Sequence, residues 1–258
     1  MSTIISFGIQ KGGVGKTTTT AITGFLLSQK YRVLLIDFDS QGNLTSMATG
    51  DPNIYQFDGK TSLEMMKCKD VKSIAHVINE NLHLIPATDF LSQLPYFLYR
   101  EYTGNPLTVL SETLEKVSND YDFILIDCPP NLGETTQNAL VASDFVIPIL
   151  QSEPFCFDAL ERYLEFIMDG IKAQANSKIR LAGILTCMLD SRAAIDNHVL
   201  EKAREEYQDL LFSSVIKRRT RIKEYSLTGV SQRTKQDTEA LEQYSLFVKE
   251  LLKRVQSW

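Results

Sequence analysis

The sequence predicts an α/β protein built on a single doubly wound, mostly parallel sheet flanked by helices. Three observations carry that expectation. Short apolar runs alternate with helical stretches along all 258 residues, two of those runs end on an aspartate, and a glycine-rich loop follows the first run. Strands buried on both faces need such wholly apolar runs, because helices cover each side of a parallel sheet.

The elements follow in order. Thr3–Ile9 is a short β-branched run, and a helix is expected from Lys16 to about Gln29. Arg32–Asp37 reads as a second buried strand, and Leu82–Pro86, Tyr121–Asp127, Asp144–Leu150 and Ile179–Cys187 supply further strands. Helices are expected near 60–68, 88–100, 105–118, 134–142, 155–174 and 193–209, with a last one over about 236–256. Residues 43–60 carry Gly50, Pro52 and Gly59 and read as a surface loop. No repeat, low-complexity tract or linker interrupts the pattern, so residues 1–258 are expected to form one domain.

Composition narrows the class. The chain is 43% hydrophobic, enough for a full core, yet no run approaches the roughly 18–20 apolar residues of a membrane span. Met1–Ile9 is too short and too uncharged for a signal peptide, so a soluble intracellular protein is expected. Cys68, Cys128, Cys156 and Cys187 lie far apart with no CxxC pair, which reads as free thiols rather than a metal site. His76, His83 and His198 are isolated. The net charge is −5 but uneven: residues 178–258 hold 15 Lys+Arg against 11 Asp+Glu, and residues 1–177 hold 12 against 21. Such asymmetry can place a basic face on an acidic chain.

The strongest local signal is Gln10-Lys11-Gly12-Gly13-Val14-Gly15-Lys16-Thr17-Thr18, between the first strand and the first helix. Glycines let successive backbone N–H groups converge on phosphates, and the helix N-terminus adds its positive dipole end. Lys16 would reach the β- and γ-phosphates, and the Thr17 hydroxyl would ligate Mg²⁺. Gln10 stands where the usual phosphate-loop pattern begins with glycine, and a second lysine, Lys11, follows it. Farther on, Phe123-Ile124-Leu125-Ile126-Asp127 brings one carboxylate to a strand end, where it can hold Mg²⁺ through water.

This loop resembles the deviant Walker A motif of the ParA/MinD family of ATPases. The likeness continues in Asp37-Phe38-Asp39-Ser40-Gln41-Gly42-Asn43, similar to the family's D-x-D-P-Q-G-N segment, and in Pro129-Pro130 after Asp127, which resembles its γ-phosphate switch. The resemblance implies ATP and Mg²⁺ as cofactors. It places Asp37 with Thr17 and Asp127 in the metal shell and makes Lys11, Lys16 and Asp39 the catalytic set. Lys11 would cross a homodimer interface to the opposite nucleotide, and Asp39 would orient the attacking water. The phosphates would lie along Lys11–Thr18, and Thr186, Met188 and Lys217 are the positions implied for the base.

Branches of the family can be weighed by residues. A nitrogenase iron protein needs paired cluster cysteines, and a ligase such as dethiobiotin synthetase lacks Lys11 and the D-x-D segment. Ser214–Glu224, with Lys217, Arg218, Arg219, Arg221 and Lys223, resembles the DNA-binding segment of ParA proteins, and Leu185–Arg192 resembles a second segment that supplies Arg192. These arginines imply non-specific binding of double-stranded DNA by an ATP-bound dimer, with hydrolysis stimulated by a ParB-like centromere-binding adaptor. A nucleoid-associated cytoplasmic location goes with that role. No N-terminal helix-turn-helix extension is expected. The alternative is a MinD-like membrane-positioning ATPase, whose anchor would be the apolar stripe Tyr244, Phe247, Val248, Leu251, Leu252 and Val255. Packing of that stripe on the sheet is the expected reading, without stable membrane association.

Overall fold

The structure is a computed structural model that describes residues 1–152, 156–190 and 193–256. Its strands are β1 (Thr3–Gly8), β2 (Val33–Asp37), β3 (His76–Asn79), β4 (Leu82–Ile85), β5 (Phe123–Asp127), β6 (Phe145–Gln151), β7 (Arg180–Leu181), β8 (Ile184–Leu189) and β9 (Leu211–Lys217). They form one sheet in the order β3-β4-β2-β5-β1-β6-β8-β9, with β7 paired to β6. The β3–β4 pair is antiparallel and the other pairings are parallel. The doubly wound expectation is met.

The helices are α1 (Lys16–Leu27), α2 (Asn43–Thr49), α3 (Ser62–Cys68), α4 (Leu94–Tyr96), α5 (Val109–Glu115), α6 (Glu134–Ala142), α7 (Cys156–Glu165), α8 (Ala194–Tyr207), α9 (Thr220–Thr228) and α10 (Lys235–Gln256). The central strands are sealed on both faces: Val33, Leu34, Leu35 and Ile36 are all buried, as are Ile124, Leu125 and Ile126. Odd and even positions of β2 and β5 enter different apolar clusters, one under α1 and one under α3 and α5. This is why their sequences show no polar alternation.

Two expectations need correction. Residues 43–60 are not only loop: Leu44 and Met47, three apart, bury one face of α2. Ile179–Cys187 is not one strand, because the chain breaks between β7 and β8 at Gly183, whose φ of +147° suits glycine. The basic segment spans the end of β9 and the start of α9.

Helix α10 packs as expected. Tyr244, Phe247, Val248 and Leu251 are buried, and Phe247 meets Phe212 of β9 edge to face at 4.8 Å. Its polar side chains also satisfy the sheet edge. Glu250 accepts the Ser213 and Ser214 N–H groups at 3.0 and 3.2 Å, Gln243 accepts that of Lys217 at 2.8 Å, and Arg254 donates to the Leu211 carbonyl at 2.8 Å. An open edge strand is thereby blunted. Among the described residues no helix is long and apolar enough to cross a membrane.

Candidate nucleotide and phosphate site

The chain leaves β1 at Gly8 and enters α1 at Lys16, at the carboxyl ends of the central strands, where open α/β sheets bind ligands. Gly13 and Gly15 take φ values of +74° and +97°, which a side chain would strain. Val14, buried at 1% exposure, pins the loop to the core. A Cβ added at Gly12 or Gly13 would meet no atom within 4 Å, so this stretch borders an open cradle. The first N–H groups of α1 have no acceptor within the helix and are available to an anion.

Lys16 is 6% exposed and donates to the Lys11 carbonyl at 2.8 Å. Burial lowers its amine from the ordinary value, opposed by the nearby Asp127 and Asp39 carboxylates. Next to it, Thr17 donates its hydroxyl to Asp127 Oδ2 at 2.6 Å. Asp127 Oδ1 is buried with no hydrogen-bond partner among the described residues. Burial pushes this carboxyl well up, and the Asp37 carboxylate adds to the shift. A divalent cation would reverse that balance. Thr17 and Asp127 thus fit Mg²⁺, a hard ion that takes one or two protein oxygens beside phosphate oxygens and water.

Asp37 is the register partner of Asp127 on β2, and both of its oxygens accept hydrogen bonds. Its Oδ2 accepts both the Thr45 N–H at 2.8 Å and the Thr45 hydroxyl at 2.7 Å, and its Oδ1 accepts the Asp39 N–H at 3.2 Å. Burial raises its pKa to about 7, opposed by the two Thr45 bonds. The carboxylate holds α2 and the Asp39 loop, and it does so beside Asp127, where metal ligation is expected of it. Asp39 itself lines the same cavity as Lys16 and Thr17.

That cavity measures about 630 Å³ and runs from the phosphate loop to α9. Gly12–Thr18 wall one end, with Met188, Ile216, Lys217 and Ile222 at the other. Met188 holds φ at +64°, and its carbonyl accepts from Arg218 Nε at 3.0 Å. Thr186 is not brought to the wall: it is fully buried in β8, and its neighbours Cys187 and Met188 line the cavity instead.

The basic residues divide. Lys217, Arg218, Arg219 and Lys223 are exposed around the cavity mouth. Arg221 is tied inward, with Nε at 2.7 Å from the buried Asp237 and Nη1 at 2.6 Å from Glu224. Asp237 also accepts from Tyr225, Arg233 and Thr234, so it joins α9 to α10. Arg192 lies outside the described residues. Sequence reasoning missed Thr45 and Asp237, and a lone threonine or aspartate offers no motif to find.

Three comparisons bear on this geometry. A family model described as an AAA domain matches residues 2–181. The sporulation initiation inhibitor protein Soj of Bacillus subtilis is 35% identical, over 87% of each chain, and the chromosome partitioning protein ParA of Myxococcus xanthus is 34% identical over 86% of this chain and 77% of that one. Among solved structures, a cobyrinic acid a,c-diamide synthase of Mycobacterium smegmatis with bound ADP and magnesium is 29% identical. It superposes with a TM-score of 0.80 over 100% of this chain and 96% of the other.

Proposed function

The chain belongs to this AAA-domain family and, within it, to the ParA/Soj-type P-loop ATPases, and on that premise we propose that it is a partition ATPase for a plasmid or chromosome. Its cofactors are ATP and Mg²⁺, and its reaction is hydrolysis of ATP to ADP and phosphate. The ATP-bound form is a sandwich homodimer that binds double-stranded DNA without regard to sequence, and a ParB-like centromere-binding adaptor accelerates hydrolysis. Residues 1–258 act as one P-loop domain, associated with the nucleoid.

One observation carries the reading: a phosphate loop with the extra Lys11 faces the Thr17–Asp127 pair, whose remaining carboxylate oxygen has no partner. Bound Mg²⁺ would neutralise charge on the phosphate oxygens. The chain does the rest by position. Gly12–Gly15 and the start of α1 present N–H donors, and Lys16 gives up the Lys11 carbonyl to reach the β/γ oxygens. Asp39, beside Lys16, orients a water in line with the γ-phosphate.

The exposed Lys217, Arg218, Arg219 and Lys223 supply the DNA-facing charge, with Arg192 as a further contributor. The MinD-like alternative loses its main support, since the apolar stripe of α10 is buried against β9. Phosphate release from ATP, measured with and without Mg²⁺ and with duplex DNA and adaptor added, tests the enzymatic half. No Mg²⁺-dependent release under any of these conditions would end it.

A further inference from the structure

Thr45 lies in the first turn of α2 and is fully buried. Its N–H and its hydroxyl both reach Asp37 Oδ2, at 2.8 and 2.7 Å. Just past β4, the Ala87 N–H donates to Thr45 Oγ1 at 2.9 Å. A hydroxyl that accepts from a backbone amide has its own proton left to give, and an ionised carboxylate can only accept it. The orientation of the Thr45 hydroxyl is therefore set from both sides.

The chain of bonds continues toward the cavity. Asp37 Oδ1 accepts the Asp39 N–H at 3.2 Å, and Asp39 Oδ1 accepts that of Gln41 at 3.1 Å. On the far side of the turn, the Gly42 N–H donates to the Asp39 carbonyl at 3.0 Å. Gly42 sits at φ +64°, where a Cβ would come within 2.8 Å of the Ala87 carbonyl. Ala87 thus braces both Thr45 and the turn that carries Asp39.

We propose that Thr45 is a positioning residue for hydrolysis, fixing the Asp37 carboxylate so that Asp37 in turn fixes the Asp39 backbone and aims its side chain at the Lys16 end of the cavity. This rests on the hydrolytic reading above. Thr45 does not line the cavity, so nucleotide contact is not its contribution. The phosphate cradle belongs to β1 and α1, outside this chain of bonds. Loss of the Thr45 hydroxyl should accordingly separate turnover from nucleotide binding.

The experiment compares wild type, Thr45→Val, Thr45→Ala and Thr45→Ser in steady-state ATP hydrolysis with Mg²⁺, alongside equilibrium binding of a fluorescent ADP analogue. Thr45→Val keeps the side-chain shape and removes the hydroxyl. Its kcat should fall on the order of 10²-fold, as misplacement of a reacting group by about 1 Å does, with KM and ADP affinity unchanged. Thr45→Ser should restore turnover. If Thr45→Val does not fold, the same split is read between Thr45→Ala and Thr45→Ser. Wild-type turnover in Thr45→Val, a joint loss of turnover and ADP affinity, or equal kcat in the alanine and serine variants would overturn the inference alone. A wild-type protein that releases no phosphate would overturn the hydrolytic reading and this inference with it.

Discussion

Thr17 donates its hydroxyl to one oxygen of Asp127 at 2.6 Å, while the other oxygen of that carboxylate is buried without a partner among the described residues. The pair joins the start of α1 to the end of β5 and marks where an ion is wanted. A buried, half-satisfied carboxylate is costly to the folded chain, and function explains its retention.

That cost has a pH signature. The folded-state pKa of Asp127 is raised, so between the unfolded value near 4 and the folded value the native state binds more protons than the unfolded one. Its contribution therefore destabilises the ligand-free protein increasingly as pH rises through that window. Asp127→Asn should melt higher than wild type at pH 7.5 without nucleotide, with a smaller advantage at pH 5. It should also lose the Mg²⁺-dependent gain in melting temperature on adding ATP. A constant difference across pH would remove the buried charge from the explanation.

The three charged residues of the nucleotide end should fail in different ways. Lys16→Ala should abolish ATP binding, because no other side chain replaces its charge on the phosphates. Lys11→Ala should bind ATP and stay monomeric by light scattering. Asp39→Ala should bind and dimerise yet release phosphate at a rate at least about 10²-fold below wild type, the usual loss when a group that positions the nucleophile is removed. Wild-type turnover by Asp39→Ala would sink its assignment.

Arg221 and Arg219 should part company. Arg221→Ala leaves Asp237 without its cation, which should lower the denaturant midpoint clearly below that of Arg219→Ala. Arg219→Ala removes an exposed charge and should stay within about 0.5 kcal/mol of wild type. Equal stability of the two variants would mean that the Arg221–Asp237 pair does not tie α9 to α10 in solution.

Close contact between α2 and α9 gives a fourth expectation. Gly50 has φ +71°, and a Cβ there would lie 3.0 Å from the backbone of Thr228 and Gly229. Gly50→Ala should destabilise by about 1–3 kcal/mol through left-handed strain and a clash that no side-chain rotation relieves. A melting temperature equal to wild type would show that the two helix ends do not meet in solution.

Most of the sheet was legible because strands buried on both faces are apolar throughout, as Val33–Ile36 and Phe123–Ile126 are. The Lys16–Thr17–Asp127 constellation was legible because phosphate chemistry imposes a spacing. Helix α2 was not, since its seven residues stop before a Gly50 cap and bury only Leu44, Thr45 and Met47. Arg221 looked like its basic neighbours in sequence; only folding brings it to Asp237, sixteen residues on. Asp37 and Thr186 were placed by family resemblance; the bonds between Asp37 and Thr45 and the depth of Thr186 in β8 come only from the fold.

DNA binding gated by nucleotide is the central claim, and fluorescence anisotropy tests it most directly. Two unrelated duplexes would be titrated across a salt series with ATP, ADP or no nucleotide, using Asp39→Ala to hold the ATP state. A dimer placing two basic mouths on one side would neutralise roughly 4–6 phosphates, giving a log K against log salt slope of about −4 to −5. Both duplexes should bind alike with ATP and weakly with ADP, because phosphate contacts position a protein without reading bases. Arg219→Ala should flatten the slope by about 2, one contact per subunit. Equal binding with ATP, ADP and no nucleotide, or an Arg219→Ala slope identical to wild type, would contradict the account.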